Sequence, residues 1–187
     1  MPVRVASVPK PDAPRHPRLM LTYREILQAV SDSEADYAWI GLMAAGVYGS
    51  TLTSLDFDFF IRPDPAHLDK ARAAFRKLGM SELHAKVTSA NLILMETTDS
   101  FADPAGGPTV DLLTKISGPS FDEVWAQHQI HQFEGLALRV ASLEHIIASK
   151  LAAGREKDLY TVKRLAEDLG WELKEAPAKY RVRKKRK

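Results

Sequence analysis

"GVYGSTLTSLDFDFFIRPD", residues 46–64, sets two carboxylates one residue apart inside one of the most aromatic and apolar runs of the chain. In an extended strand successive side chains point to opposite faces, so Asp56, Asp58 and Phe60 share one face while Leu55, Phe57, Phe59 and Ile61 share the other. The two acids then stand side by side, with Cβ atoms roughly 6–7 Å apart. At that separation two carboxylates repel unless positive charge lies between them. A divalent cation supplies such charge, and carboxylate oxygens are the ligands that Mg²⁺ and Mn²⁺ prefer. The same spacing also suits a plain strand with a solvated polar face, so the surrounding sequence has to decide.

Composition narrows the choice. A chain of 187 residues with 45% hydrophobic content can bury one good core, so a single domain is expected. Cysteine is absent, which excludes a disulfide framework and a thiolate zinc site and agrees with a reducing cytoplasm. The amino-terminal stretch carries no apolar signal region, and no window approaches the roughly 18 apolar residues of a membrane span. A soluble, cytoplasmic protein without a membrane partner is expected.

The net charge of +2 conceals three zones. Residues 1–18 sum to +3 and contain five prolines, reading as a flexible Pro-rich leader; residues 174–187 sum to +7 and form a basic tail; the body, 19–173, is left at −8. The tail "KYRVRKKRK" is either a solvated segment or a loose holder of polyanions through phosphate charge.

Within the body, "LTYREILQAVSDSEA" has Leu21, Ile26, Leu27 and Val30 near helical spacing and predicts a first helix. "DYAWIG" reads as a short strand ending in Gly41, "LMAAGVYG" as a short helix of small residues closing at Gly49, and "LDFDFFIRP" as a strand stopped by Pro63. "PAHLDKARAAFRKLG" is an amphipathic helix with Pro65 near its start, Leu68, Ala71, Phe75 and Leu78 on one face and Gly79 at its end. Two more strands are predicted, "NLILMET" and "TVDLLTKI", separated by the turn-forming "DPAGGP". "HQFEGLALRV" predicts a hairpin turning at Glu134-Gly135; Ser142 opens a helix that Gly154 ends, and a last helix runs from about Lys157 to Leu169. Strands and helices alternate early and helices close the chain, which gives an α/β (α+β) class with a mixed sheet flanked by helices.

In this setting the acids gain a partner. "VDLL" places Asp111 between Val110 and Leu112 on another apolar strand, so three acids on two strands can converge. In outline this is a two-metal phosphoryl-transfer site. Asp56 and Asp58 hold the ion that carries the nucleotide phosphates, and Asp111 helps hold a second ion and accepts the proton of the attacking hydroxyl. A haloacid-dehalogenase-like phosphatase needs Thr or Val where Phe60 stands, and a D-x-D glycosyltransferase needs a larger sugar-nucleotide domain than this chain supplies.

The order of glycine, helix, "DFDF" strand and third-Asp strand resembles the nucleotidyltransferase fold of the DNA polymerase beta superfamily, particularly small bacterial members related to AbiEii-type toxins. "IGL", the thirteen residues from Met43 to Leu55, and "DFDF" follow the family signature except that Leu42 replaces its second small residue. "VASLEHIIASKLAAGREKDLYTVKRL", residues 140–165, resembles the carboxy-terminal helices of those members, with Lys150, Arg155, Lys157 and Asp158 in the places of a helix lysine and an Arg-x-Lys-Asp turn. The likeness covers roughly residues 37–170.

It implies a Mg²⁺- or Mn²⁺-dependent enzyme that transfers a nucleoside monophosphate from an NTP, such as ATP, to a hydroxyl acceptor and releases pyrophosphate. RNA or protein is favoured over a small molecule as the acceptor. Asp56, Asp58 and Asp111 would be the catalytic and metal-binding residues, with Gly41, Ser54 and Lys150 at the nucleotide. Family members often place Arg and Thr before the first acid, where this chain has Leu52 and Ser54. A catalytically silent nucleotide-binding or partner-binding protein, such as a toxin–antitoxin component, is the alternative reading.

Other residues carry two readings each. Lys150 beside an apolar helix face either reaches a triphosphate or snorkels to water. Arg155 and Asp158, three apart, suit a pair that braces the helix junction. His128 and His131 lack a third zinc ligand and read as surface or packing residues, and Trp39, Trp125 and Trp171 read as core and edge packing.

Overall fold

The computed structural model describes residues 19–170. The leader, the basic tail with its polyanion reading, and Trp171 lie outside the described residues. Within them the chain runs α1 (Tyr23–Asp32), β1 (Tyr37–Ile40), α2 (Gly41–Ala45) with a 3-10 turn over Gly46–Tyr48, β2 (Asp56–Ile61), α3 (Pro65–Lys77), β3 (Ser81–Glu82), α4 (Ser89–Leu94), β4 (Asp99–Ala102), β5 (Thr109–Leu113), α5 (Phe121–Ala126), β6 (Gln129–Phe133), β7 (Leu136–Val140), α6 (Leu143–Ala153) and α7 (Glu156–Leu169). No helix among the described residues is long and apolar enough to cross a membrane.

Seven strands form one mixed sheet in the order β3-β4-β5-β2-β1-β7-β6. β2 lies at its centre, antiparallel to β1 and parallel to β5, and β4 runs antiparallel beyond β5. The aromatic half of β2 explains its position. Phe57, Phe59 and Ile61 are wholly buried, and Phe59 stacks between Phe57 and Phe75 of α3. Side chains of that size each contribute about 1.5–3 kcal/mol on burial. Phe60, on the face of the acids, meets Phe121 of α5 edge to face. Leu55, expected on the core face, precedes the strand and is 69% exposed.

Local signals account for most boundaries. Asp64 caps α3 with Pro65 at its first position, Ser142 caps α6, and Gly154 ends α6 in the left-handed conformation at φ 64°. The β6–β7 hairpin turns through Glu134 and Gly135, both at positive φ, as a two-residue turn of this hand requires.

One element differs in kind. "NLILMET", expected to be a strand, begins within α4, whose cap Thr88 accepts from the Asn91 amide. Leu92 points into the core while Leu94 and Met95 are exposed, a helical and not an alternating pattern. The strand beside β5 is instead β4, "DSFA", whose polar residues hid it.

Asp99 of β4 is buried because Arg72 of α3 is buried beside it. The Arg72 guanidinium lies 2.6 Å from Glu82 and 2.9 Å from Asp99 and donates to Ser89 Oγ and to the carbonyls of His84 and Val87. Both acids are almost fully enclosed. This ion cluster ties α3, β3, β4 and α4 together.

Candidate active site

Parallel pairing of β2 with β5 makes Asp58 and Asp111 register partners, and Asp56 the partner of Thr109. Residues partnered across a sheet share a face, so all three acids stand on one side of it. The strands thus bring together the residues that the sequence singles out. Asp56 is exposed at the strand's start, while Asp58 and Asp111 are half-buried further in.

The three carboxylates differ in their partners. Asp56 Oδ1 accepts from Thr109 Oγ1 at 2.6 Å, and its Oδ2 accepts from Ser54 Oγ at 3.3 Å. Asp111 Oδ1 accepts from Ser100 Oγ at 2.6 Å. For Asp58 the environment is set by burial and by charge. Burial first, then the neighbouring Asp111 and Asp56, push its carboxyl up to about 7 against the pull of Lys150. At Asp58, burial and like charge therefore outweigh the attraction of Lys150.

Gly41 has a backbone role beside it. It starts α2 at φ 83°, and a Cβ built there would overlap Asp58 Oδ2, so only glycine allows this strand-to-helix turn against the acid. Asp58 and Gly41 open onto a cavity of about 360 Å³ whose other walls include Lys115, Lys150, Arg155 and Asp158. Lys150, on α6, is well enclosed. Burial lowers its proton affinity, although Asp158 and Asp58 both favour its charged form. Asp158 is buried, pairs with Arg155 and lies 3.8 Å from Lys150, so the Arg155–Asp158 brace read from the sequence is present and extends to the lysine.

The two departures from the family pattern share one cause. Leu42 and Leu52 both pack on a second apolar cluster formed by Ala45, Leu143, Ile147, Val162 and Leu165, beneath α6 and α7. Their side chains serve the contact between α2, its following loop and the terminal helices. Ser54 lies beside Asp56 and both donates to its carboxylate and accepts from its amide.

The remaining candidates are packing residues. Trp39 is buried and stacks on Phe57, Trp125 stacks on Phe121 and His128, and His131 meets the Tyr48 ring edge to face. Sequence reasoning missed Thr109 and Ser100, the hydroxyls on Asp56 and Asp111. Thr109 had a signal: it precedes Asp111 by two residues as Ser54 precedes Asp56, and so faces the same way. Ser100 had none, because β4 was not legible.

Among the described residues no three His, Cys, Asp or Glu side chains form a ready-made metal cage. The donor set fits a cation held in part by substrate. Asp58 and Asp111 present adjacent carboxylates on one sheet face, and Mg²⁺ is commonly held by one or two carboxylates with phosphate and water oxygens completing its shell.

No protein-family profile and no curated protein matches the sequence. Solved structures do. The antibiotic-resistance factor ANT(2'')-Ia is similar at a TM-score of 0.51 and 15% identity, over 79% of this chain and 82% of that chain. A candidate nucleotidyltransferase from Thermotoga maritima is similar at a TM-score of 0.53 and 15% identity, over 78% of this chain and 92% of that chain. At such identities the likeness is one of architecture, and it gives the acid-bearing sheet and the Gly41 turn their setting: the chain has the nucleotidyltransferase fold.

Proposed function

We propose that this protein is a metal-dependent nucleotidyltransferase that moves a nucleoside monophosphate from an NTP to a hydroxyl acceptor. The observation that carries this reading is the pairing of Asp58 with Asp111 on one sheet face, beside the cavity headed by Gly41. The acceptor oxygen would form a bond to the α-phosphorus while the bond from that phosphorus to the bridging oxygen breaks. Pyrophosphate leaves with the electron pair, and the acceptor's proton passes to Asp111, whose Oδ1 is fixed by Ser100. Asp58, Asp111 and Asp56 would hold Mg²⁺ or Mn²⁺, which when bound supplies charge to offset the acids and the phosphates. Lys150 and Arg155 line the same cavity and would face the triphosphate, giving the loop's missing cation a substitute from the terminal helices.

An RNA or protein acceptor, in the manner of the AbiEii-related members the sequence resembles, is proposed ahead of a small molecule. The likeness to an antibiotic-resistance factor carries the fold alone. The test is to incubate the protein with each α-³²P-labelled NTP and Mg²⁺ in the presence of RNA, protein and small-molecule fractions of a cell extract. Label is expected in one fraction, with pyrophosphate released, and Asp58→Asn is expected to reduce transfer by about 10²–10³-fold. Absence of transfer and of pyrophosphate with all four NTPs would leave a silent nucleotidyltransferase fold.

A further inference from the structure

Residues 49–55 have no regular secondary structure, yet they carry the chain from the turn after α2 into Asp56. Contacts from α7 hold this loop. The Thr51 amide and the Thr51 hydroxyl both donate to Asp168 Oδ2, at 3.1 and 2.6 Å, across 117 residues of sequence. Asp168 stands on the last turn of α7 with its side chain 11% exposed, and its Oδ1 lies 3.7 Å from Arg164. The next residue, Leu169, comes within 3.6 Å of where a Cβ on Gly49 would sit, and it shares the second apolar cluster with Leu52. Downstream of Thr51 the loop ends on Ser54, whose hydroxyl bonds the Asp56 amide and carboxylate.

We propose that Asp168 is a positioning residue for the acid-bearing strand, an inference that rests on the nucleotidyltransferase reading above. One carboxylate oxygen takes both donors of Thr51 and so fixes the backbone direction of a loop whose bond to the sheet comes only at its end, where Leu55 accepts from the Thr109 amide. Thr51 itself is exposed, so the strength of the contact comes from its charge: one carboxylate oxygen accepts from two donors at once. α7 thereby becomes part of the site without touching the reacting atoms. Small displacements at a distance from the chemistry cost turnover because the acids have to meet phosphate and acceptor together.

The experiment compares wild type with Asp168→Ala, Asp168→Asn and Thr51→Val. Amide hydrogen exchange at Thr51, read by NMR, is expected to quicken about tenfold or more in Asp168→Ala, since that amide's partner is the removed carboxylate. Nucleotide turnover in the same variant is expected to fall about tenfold in kcat with KM changed less than about twofold. Asp168→Asn keeps an acceptor oxygen and should stay within about threefold of wild type in both readouts. Thr51→Val removes the hydroxyl donor but keeps the amide, so it should lose less kcat than Asp168→Ala, and the double variant should be no worse than Asp168→Ala alone. Unchanged exchange at Thr51 in Asp168→Ala, wild-type kcat despite faster exchange, or an Asp168→Asn as impaired as Asp168→Ala would each overturn the proposal. A wild-type protein without turnover would sink the transfer reading instead. Mn²⁺ affinity alone, expected to weaken about threefold in Asp168→Ala and unchanged if the inference is wrong, then decides the clamp with the exchange data.

Discussion

Two groups of carboxylates on this sheet have opposite surroundings. At the β3–β4 edge Glu82 and Asp99 flank Arg72, which reaches both within 2.9 Å. At the centre Asp58 has Asp111 beside it and Asp56 as the next acid along its strand, with hydroxyls on the outer two and the charge of Lys150 acting on it from the cavity wall. Burial works against ionisation of Glu82, but bonds from Arg76 and Arg72 overcome it and hold that acid below its ordinary range, while burial and the neighbouring Glu82 push its partner Asp99 above its own. Burial and two acidic neighbours push Asp58 the other way. A cluster neutralised in place is a brace, whereas one left with like charges is prepared for charge that arrives with a ligand.

The contrast breaks most visibly at Arg72. Arg72→Met removes the charge that two enclosed acids share, and a loss of about 3–5 kcal/mol is expected in urea denaturation, with nucleotide transfer per folded molecule unchanged. A loss below about 1 kcal/mol would mean that the cluster is no brace.

A smaller effect sharpens the other half. Because the folded-state value of Asp58 is raised, its contribution to stability is present below about pH 4, the ordinary carboxyl range, and is lost as pH rises through about 7. Metal-free wild type should therefore lose stability relative to Asp58→Asn between those values, by a few kcal/mol at most at about 1.4 kcal/mol per unit. Parallel melting curves for the two proteins across pH 4–8 would show that Asp58 is not perturbed.

How much of this was open to sequence reading depended on distance along the chain. The acids of β2, the caps Ser142 and Gly154 and the Glu134-Gly135 turn are set by neighbours within a few residues, and all could be read. Arg72 meets Glu82 and Asp99 only after α3, β3 and β4 are in place, and Thr51 meets Asp168 only when α7 returns to the loop. "NLILMET" failed for another reason. A short apolar run suits helix and strand alike, and the Thr88 cap that decides it precedes the run. Leu42 and Leu52 could be seen as departures, but their common apolar cluster is a property of the folded chain.

The smallest effect concerns the basic tail. Removing residues 179–187 takes away seven positive charges in a segment of low apolar content, so melting should barely change. If RNA is the acceptor, its binding should weaken and its salt dependence flatten, while turnover of bound substrate stays the same. Equal affinities and equal salt slopes for full-length and shortened protein would remove the tail as an RNA contact.

The central claim is that Asp58 and Asp111 hold a cation together with a nucleotide, and calorimetric titration of a non-hydrolysable NTP analogue tests it without knowledge of the acceptor. Wild type is expected to bind the analogue at least about tenfold more tightly with Mg²⁺ than with chelator, and Asp58→Asn and Asp111→Asn are expected to lose that difference while keeping the fold. Binding that is equally tight without metal, or a metal dependence that survives both substitutions, would contradict it.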